Sequence, residues 1–269
     1  MSESPRVVLL TGASRGIGAA AARLFAASGY RVALVARSQI ELEEVASGIS
    51  KAGGEALPIV GDLSDLDFVQ RAVETTCAKM GRIDVLVNNA AWRELASMRR
   101  ISLESWEKTL RVCLTAPAFL ARWAAENMML RSSGAIINVS SMMSQQAAGI
   151  SPAYIASKGG LDSLTYELAS LYGPHGIRVV TVQPGAVNTE LSSELDRPSD
   201  ESDDIRAFSE DMIMLRRWAN AEEIARVILF LASSDASYIT GTTITVDGGW
   251  FHQHFPLSLK QQRFRDDYP

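Results

Sequence analysis

The sequence predicts an α/β protein with a three-layer, doubly wound fold, in which helices cover both faces of a mainly parallel, seven-stranded sheet. Two observations predict this class. Short runs rich in valine, isoleucine and leucine alternate with longer helical segments, and these runs are apolar almost throughout, which is typical of parallel strands buried on both faces. No linker or repeat divides the chain, so we expect a single domain over residues 1–269 with its core at about 5–250.

The first half of the chain predicts four strands with helices between them. The predicted strands are RVVLLT (6–11), RVALVA (31–36), EALPIVG (55–61) and IDVLVNN (83–89). Their valine, isoleucine and leucine content favours buried extended chain. The longer segments between these strands predict helices over 16–28, 39–52 and 65–80.

The second half continues the alternation. A long helical segment over about 103–130 follows the fourth strand, and the remaining predicted helices are 152–172 and 221–233. The remaining predicted strands are GAIINVSS (134–141), IRVVTVQP (177–184) and TTITVDG (242–248). Strands that alternate with helices in this way indicate a parallel sheet.

Two segments have no regular pattern. Residues 188–212 contain the acidic run ELDRPSDESDD, and we interpret the segment as a mobile loop beside the substrate, with a plain solvated loop as the alternative. Residues 250–269 follow the last strand and are rich in aromatic side chains. We expect this tail to dock on the body of the protein or on a neighbouring subunit.

Composition excludes several classes of function. The chain has 269 residues, of which 47% are apolar, and a formal charge of −5 with a pI near 5.3. Because its basic residues are scattered, neither nucleic acid nor an anionic membrane is an expected partner. Cys77 and Cys113 form no disulfide or zinc pattern, and His252 and His254 lack a third ligand, so no metal is expected. No targeting segment or long apolar run is evident, which favours a cytoplasmic enzyme or binding protein.

The motif TGASRGIG at 11–18 lies between the first strand and the first helix, as a dinucleotide site requires. Gly12 permits a tight turn, Gly16 lets the backbone approach a pyrophosphate, and Gly18 allows close packing of the helix. The N-terminus of that helix attracts phosphate. The sequence therefore predicts a dinucleotide-binding site at this turn.

The end of the second strand favours NADP(H) over NAD(H). An NAD site usually places a carboxylate there, whereas this chain has Ala36, Arg37 and Ser38. Arg37 and Arg15 can bind a 2′-phosphate through charge-assisted hydrogen bonds. The alternative interpretation is two surface arginines at the ends of a strand and a helix.

The helix predicted over 152–172 carries a tyrosine and a lysine on one side. Ser151 suits the N-cap position and Pro152 the first helical position, and Tyr154 and Lys158 follow one turn apart. A lysine cation favours the ionised form of a neighbouring phenol, as a general acid or base requires. On this pair alone, a solvated polar face is the alternative.

Six motifs occur together in one order. They are TGASRGIG, Asp62-Leu63, NNAA at 88–91, SS at 140–141, YIASK at 154–158 and PGAVNT at 184–189. With these motifs the sequence resembles the short-chain dehydrogenase/reductase family over roughly residues 5–250, in the single-domain branch similar to 3-oxoacyl-carrier-protein reductases. The resemblance implies a Rossmann fold and hydride transfer between a nicotinamide cofactor and a carbonyl or secondary alcohol.

The resemblance also implies roles for individual residues. Ser141 would hydrogen-bond the substrate oxygen, Tyr154 would act as general acid and base, and Lys158 would support the phenol and hold the nicotinamide ribose. Asp62 and Leu63 would contact adenine, residues 88–90 would line the ribose, and Thr189 would contact the carboxamide. The full set of expected cofactor-binding residues is Gly12, Ser14, Arg15, Gly16, Ile17, Gly18, Arg37, Ser38, Asp62, Leu63, Asn89, Ala90, Tyr154, Lys158, Pro184, Gly185, Val187 and Thr189.

Two departures from the family pattern stand out. Ala91 replaces the glycine that usually ends the NNAG motif, which adds a methyl group beside the cofactor. Cys113 replaces an asparagine that usually completes a catalytic tetrad, and a thiol cannot reproduce the hydrogen bonds of an amide. We expect Cys113 to be a buried packing residue. Either a neighbouring group or water then carries the proton relay in place of the asparagine, or turnover is slow.

The expected function is that of an NADP(H)-dependent oxidoreductase acting on a small-molecule carbonyl or alcohol. The alternatives are an NAD-dependent alcohol or sugar dehydrogenase, and a nucleotide-binding protein of this family with weak or no catalysis. A substrate pocket is expected to include Trp92, Met142, Met143, Gln145 and the segment after Thr189, with ordinary loop packing as the alternative. Arg93 and Glu94 are candidates for orienting a polar substrate, or else are solvated side chains. By resemblance we expect a homo-oligomer, a tetramer or a dimer, packed through the helices at 103–130 and 152–172.

Overall fold

The central sheet follows the apolar runs of the sequence. The structure, a computed structural model, describes residues 5–189, 191 and 202–268. In this part of the chain the strands are β1 (Val7–Thr11), β2 (Arg31–Ala36), β3 (Ala56–Val60), β4 (Val85–Asn88), β5 (Gly134–Val139), β6 (Ile177–Pro184), β7 (Val187–Asn188), β8 (Ala219–Asn220) and β9 (Thr242–Val246). Seven of them form one sheet in the order β3-β2-β1-β4-β5-β6-β9, and every neighbouring pair is parallel. The predicted doubly wound, seven-stranded fold is confirmed.

Helices cover both faces of this sheet. They are α1 (Gly16–Ala27), α2 (Gln39–Lys51), α3 (Leu66–Met80), α4 (Leu103–Leu110), α5 (Ala116–Met129), α6 (Pro152–Tyr172), α7 (Ser202–Met212), α8 (Ala221–Ala232) and α9 (Leu257–Arg263). Val8 and Leu10 of β1 pack in a core with α1, α2 and α8, whereas Val7 and Leu9 pack on the other face with α3, α5 and α6. This alternation of side chains produces the three layers. No helix within the described ranges combines the length and the apolar character that crossing a bilayer requires.

The predicted single helix over 103–130 is wrong in its middle. A π-helical segment, Arg111–Thr115, separates α4 from α5, and the backbone N–H of Ala116 bonds to the carbonyl of Arg111, five residues earlier. Pro117 explains the interruption, because it has no N–H to donate to the carbonyl of Cys113. The segment therefore widens where Cys113 faces the centre of the protein.

The prediction of an irregular loop over 188–212 is wrong at its C-terminal end. Residues 202–212 form α7, and residues 188 and 220 lie in the short parallel pair of β7 and β8. Most of the acidic run lies outside the described residues. The tail docks on the body, which is one of the two outcomes expected for it, through a bond between Ser258 and Asp211 of α7. Its helix α9 (Leu257–Arg263) was not predicted.

The helix predicted over 152–172 is confirmed, with its N-cap where the sequence analysis expected it. Ser151 occupies the N-cap position without a side-chain cap bond, and its buried Oγ has no hydrogen-bond partner among the described residues. Pro152 at the first helical position fixes the start of α6 instead. The helix ends in a 3-10 turn whose Gly176 has a φ of 71°.

Candidate active site

The glycine-rich turn between β1 and α1 is packed too tightly for side chains. Gly12 and Gly16 have φ angles of 66° and 54°, which favour glycine. A Cβ atom on Gly12 would lie 2.8 Å from the Cα of Ala90, and one on Gly18 would lie 2.0 Å from the carbonyl oxygen of Gly12. No acidic side chain lies in the first turn of α1, so the N-terminus of this helix favours an anion.

Asn89, directly after β4, holds this turn in place. Its side-chain Nδ2 donates to the carbonyl oxygens of Thr11 (2.9 Å) and Gly12 (3.2 Å). The hydroxyl of Thr11 in turn accepts from the backbone N–H groups of Asn89 (3.0 Å) and Ala90 (3.1 Å). Neighbouring strands thus fix the position of the loop through backbone contacts.

A single cavity of about 1080 Å³ extends from this turn along the carboxyl ends of the strands. Nearly all of the predicted site residues line it. They are Gly12, Ser14, Arg15, Gly16, Ile17, Arg37, Ser38, Asp62, Leu63, Asn89, Ala90, Ser141, Tyr154, Lys158, Pro184, Gly185, Val187 and Thr189. Gly18 is the exception, because it lies behind the turn against Gly12. The sheet therefore brings together motifs that are up to 177 residues apart, from Gly12 to Thr189.

The end of the cavity near β1, β2 and β3 carries charges of both signs. Arg15, Arg37 and Ser38 line it, and so does Glu41 in the first turn of α2, which the sequence analysis did not consider. Asp62 lies nearby. Partial burial raises the pKa of its carboxyl, but hydrogen bonds from Ser64 and the charges of Arg37 and Lys108 lower it, and the net pKa lies below its ordinary value. Asp62 therefore accepts hydrogen bonds as a carboxylate at neutral pH.

Tyr154 and Lys158 point from α6 into the middle of the cavity. The Lys158 side chain is 1% exposed, and its Nζ donates to the carbonyl oxygen of Val139 (2.6 Å) and lies 5.5 Å from the centroid of the Tyr154 ring. Tyr154 is buried and packs against Val112 and Cys113. The structure thus brings the phenol and the ammonium group together on one face of the helix.

Ser141 follows β5 and lines the same part of the cavity. Its hydroxyl accepts from the backbone N–H of Met143 (3.2 Å) at the start of a 3-10 turn. Gln183 anchors that turn, because its Nε2 donates to Ser144 Oγ and to Asp162 Oδ2, both at 2.7 Å. The hydroxyl of Ser140 donates to the backbone carbonyl of Lys158 (3.2 Å), which fits a structural role.

The chain is similar to known proteins in both sequence and fold. Residues 12–251 match the family model described as enoyl-(acyl carrier protein) reductase. The chain is 37% identical over 248 residues to a cis-4-hydroxycyclohexanecarboxylate dehydrogenase from Sinomonas cyclohexanicum, which covers 91% of this chain and 96% of the relative. Its fold matches that of a short-chain type dehydrogenase/reductase from Mycobacterium marinum with a TM-score of 0.85, at 34% identity and over 92% and 96% of the two chains.

The chain belongs to the short-chain dehydrogenase/reductase family. A second solved structure agrees with this assignment: a protein from Beutenbergia cavernae, described as an NAD(P)-dependent gluconate 5-dehydrogenase with NADP bound at low occupancy. It has a TM-score of 0.85 and 37% identity over 93% of this chain and 98% of the other. This short-chain dehydrogenase is therefore an oxidoreductase that uses a nicotinamide cofactor. The narrower branch inferred from the sequence stays a prediction.

Cys113, which replaces the family's asparagine in this short-chain dehydrogenase, has a defined structural role. The thiol is fully buried, and its Sγ accepts from the backbone N–H of Trp92 (3.4 Å) and donates to the carbonyl oxygen of Trp92 (3.3 Å). Burial agrees with the expected packing role. The thiol thus joins the π-helical segment to the loop after β4, beside Tyr154.

Asn88 does not take part in the cavity, although the sequence analysis placed it beside the ribose. It is buried inside the sheet, and its Nδ2 donates to Asn138 Oδ1 (2.9 Å) and to the carbonyl of Pro117 (3.3 Å). Gln145 and Glu94 also lie outside the lining, whereas Trp92, Met142, Met143 and Arg93 belong to it. Arg93 lies over the Tyr154 ring, with 5.8 Å from Cζ to the centroid, and donates to the carbonyl of Leu191 (2.9 Å).

A second set of lining residues comes from the last third of the chain, in part from the segment after Thr189 that the sequence analysis expected beside the substrate. They are Leu191, Ile205, Phe208, Ser209, Trp218 and Trp250. Trp218 and Trp250 were not assigned to the site from the sequence, and the signal for Trp250 was the aromatic content of the tail. Within the described ranges, no cluster of histidine, cysteine and acidic residues could hold a metal ion.

Proposed function

We propose that this short-chain dehydrogenase interconverts a carbonyl and a secondary alcohol with NADP(H), with Tyr154 as the general acid and base. The observation that carries the proposal is the convergence of Ser141, Tyr154 and Lys158 on the cavity that also contains the glycine-rich turn. Proteins similar to the chain act on alcohols: the Sinomonas cyclohexanicum relative is a dehydrogenase of a ring alcohol. These observations support a single site for cofactor and substrate.

The residues of the cavity fit a dinucleotide. The packing at Gly12 and Gly18 leaves bare backbone beside the N-terminus of α1, which is the arrangement that a pyrophosphate requires. Arg15 and Arg37 can hold a 2′-phosphate, Asp62 can accept a hydrogen bond from the adenine amino group, and Lys158 can hold ribose hydroxyls. When bound, the cofactor supplies or accepts the hydride at the carbonyl carbon.

The residues of this chain supply the proton and the orientation. Ser141 donates a hydrogen bond to the substrate oxygen and fixes its position. In reduction, Tyr154 gives its proton to that oxygen; in oxidation, it takes the proton of the alcohol. The buried positive charge of Lys158, 5.5 Å from the ring centroid, stabilises the negative charge that develops on the phenol oxygen. Because Lys158 is buried, its charge is screened less by solvent than an exposed charge would be.

Replacement of Tyr154 by phenylalanine tests the proposal. We expect Tyr154→Phe to lower kcat with NADPH and a panel of ketones by about 10²–10⁴-fold while cofactor affinity is retained. Tyr166→Phe is the matched control, since Tyr166 lies on the same helix, is half-exposed and bonds to Thr243 (3.1 Å) away from the cavity. Turnover that survives in Tyr154→Phe would contradict the assigned role. Binding of NADPH without turnover of any ketone would favour the weakly catalytic alternative.

One observation favours the NAD alternative. Glu41 lines the cavity beside Arg37, and a carboxylate there can accept a hydrogen bond from a ribose hydroxyl. Titration of both cofactors separates the two readings. If NADP(H) is used, Arg37→Ala weakens NADPH binding by about 10-fold or more and changes NADH binding little. If NAD(H) is used, Glu41→Gln weakens NADH binding and Arg37→Ala has no effect.

A further inference from the structure

The two ends of the cavity have different chemistry. The sheet order places β3 at one edge and β9 at the other, with β5 and Ser141 between them. The charged residues Arg15, Arg37 and Asp62 lie at the β1–β3 end. The opposite end, beyond Ser141 and Tyr154, is lined by tryptophan, phenylalanine, methionine and isoleucine side chains. We call this set of lining residues the aromatic wall; it consists of Trp92, Met143, Ile205, Phe208, Trp218 and Trp250.

Tryptophan is concentrated in this wall. The chain has five tryptophans, and three of them, Trp92, Trp218 and Trp250, line the cavity. They come from segments that are far apart in sequence, after β4, before β8 and after β9. Such convergence of large flat side chains on one space favours a ligand with a bulky apolar body.

The indole N–H of Trp218 bonds within the protein. The indole N–H of Trp218 donates to Ser209 Oγ (2.7 Å), and Ser209 itself donates to the carbonyl of Arg206 (2.8 Å). The guanidinium of Arg206 lies 5.0 Å from the Trp218 ring centroid. Trp218 is 5% exposed, so what it offers to the cavity is the apolar surface of its ring.

The C-terminal tail fixes the wall. Gln146 Nε2, from the loop after the 3-10 turn, donates to the carbonyl of Phe251 (3.1 Å). On the other side, the N–H and hydroxyl of Ser258 donate to the carboxylate of Asp211 at the end of α7 (2.8 and 2.6 Å). Asp247 accepts from the backbone N–H of Phe251 (2.6 Å) and so fixes the turn that carries Trp250. The segment that carries Trp250 is therefore joined on one side to the loop that carries Gln146 and on the other to α7.

A polyhydroxylated substrate fits this end poorly. Its hydroxyl groups would lose water, and two of the described polar side chains at this end, Ser209 and Gln146, already bond within the protein. A buried hydroxyl without a partner is costly, and sites that accept polyols supply a partner for each. An apolar ring loses nothing on leaving water and gains contact with the aromatic side chains.

We propose that the substrate carries a bulky apolar ring at or beside the reacting carbon, and that Trp250, with Trp218 and Phe208, is a specificity-determining residue that contacts this ring. The inference rests on the proposed function, because it names the substrate class of the same site. It also gives the C-terminal tail a role within its own subunit.

A matched panel of ketones tests the substrate class. We expect kcat/KM with NADPH for 4-alkylcyclohexanones and acetophenone to exceed that for dihydroxyacetone and erythrulose by at least about 100-fold. Equal values, or a preference for the hydroxylated ketones, would overturn the ring assignment. Absence of turnover of every ketone, with wild type and Tyr154→Phe alike, would instead refute the proposed function, and ring binding would then be measured by tryptophan quenching with cyclohexanol.

Substitution of Trp250 tests its part in recognition. We expect Trp250→Leu to lower kcat/KM for the ring ketones by about 10-fold or more, to change that for acetone by less than about 3-fold, and to leave the NADPH Kd unchanged. Trp250→Phe keeps an aromatic side chain, and we expect it to retain most of the kcat/KM for ring ketones. It replaces the leucine variant in the comparison with wild type if that variant fails to fold. Trp106→Leu is the control, since Trp106 does not line the cavity. An equal loss for ring ketones and acetone would show that Trp250 is only structural.

Discussion

The two halves of the cavity are built in different ways. At the cofactor end, backbone atoms determine the shape of the turn: Gly12 and Gly18 leave no space for side chains, Gly16 has a positive φ, and Asn89 holds the turn through carbonyl groups. At the substrate end, side chains determine it, and they come from the loop after β4, from α7 and from the tail. The difference separates a part that tolerates almost no substitution from a part whose chemistry can change residue by residue.

This contrast explains how one family can keep its cofactor and vary its substrates. The cofactor end uses neighbouring strand ends, whose spacing the sheet fixes. The substrate end uses segments that lie outside the sheet, so their side chains can change without altering strand pairing. Among the relatives described above, one acts on a ring alcohol and another is described as a gluconate dehydrogenase.

The largest effect is expected at the cofactor end, from Gly18→Ala. The new Cβ would lie 2.0 Å from the carbonyl oxygen of Gly12 and 2.7 Å from Asn89 Nδ2, so the turn must shift. We expect the NADPH Kd to rise by at least about 10-fold and the free energy of unfolding to fall by about 1–3 kcal/mol. Calorimetric titration and urea unfolding measure the two quantities.

Gly48→Ala is the control for this substitution. Gly48 lies within α2, and a Cβ there would meet no atom within 4 Å. Alanine has the higher helix propensity, so the free energy of unfolding should rise by up to about 1 kcal/mol without change in NADPH affinity. Normal NADPH binding by Gly18→Ala would show that the turn is more adaptable than the contacts indicate.

An intermediate effect is expected where the two halves meet, at Cys113. Cys113→Ala removes both hydrogen bonds to the backbone of Trp92 and leaves a small cavity beside Tyr154. We expect the free energy of unfolding to fall by about 1–2 kcal/mol and kcat to fall by less than about 10-fold. Cys113→Ser can keep both hydrogen bonds, so its free energy of unfolding should fall by less. If the serine variant loses as much as the alanine variant, packing rather than hydrogen bonding explains the role of the thiol.

The smallest effect is expected behind the aromatic wall, at the ion pair of Arg217 and Glu223. The carboxylate of Glu223 accepts hydrogen bonds from the guanidinium of Arg217 (2.8 and 2.7 Å) and from the backbone N–H of Asn220 (2.9 Å). These bonds lower the pKa of Glu223 to about 2. A lowered pKa in the folded state stabilises the fold above the ordinary pKa of 4.5, and this contribution is lost as pH falls from there toward 2.

Glu223→Gln tests this contribution. We expect a small loss of stability at pH 7, measured by urea unfolding, because the pair is exposed to solvent. The difference between variant and wild type should shrink as pH falls below 4.5. A difference that is constant across this range would mean that the hydrogen bond of the cap, and not the charge, provides the stability.

Most of the fold could be predicted because parallel strands that are buried on both faces have nearly continuous apolar sequences. The predicted bounds of all seven sheet strands agree with the structure to within a few residues. The interruption of the helix at 103–130 could have been foreseen from Pro117, which cannot donate a backbone hydrogen bond. Residues 202–212 lacked such a signal, because α7 is a polar helix that depends on contacts such as that between Asp211 and Ser258.

The candidate site was predictable to the extent that backbone geometry demands particular residues. Gly12 and Gly18 are required because a Cβ atom at either position would clash with neighbouring backbone atoms. Tyr154 and Lys158 were identified because they lie one helical turn apart. Trp218 and Trp250 could not be assigned, since only the folded chain brings their segments together. Asn88 was misplaced because alternate residues of a strand point to opposite faces, and the side chain of Asn88 bonds inside the sheet.

The position of Trp250 beyond β9 has a consequence for how this protein is made and how it can change. During synthesis, the turn at Gly12 and its clamp at Asn89 emerge early, whereas the segment from Gly248 to Arg263 leaves the ribosome after the last strand. The aromatic wall is therefore completed last. Exchange of this short segment between homologues would replace the wall residue at position 250 and leave the glycine-rich turn and Asn89 unchanged.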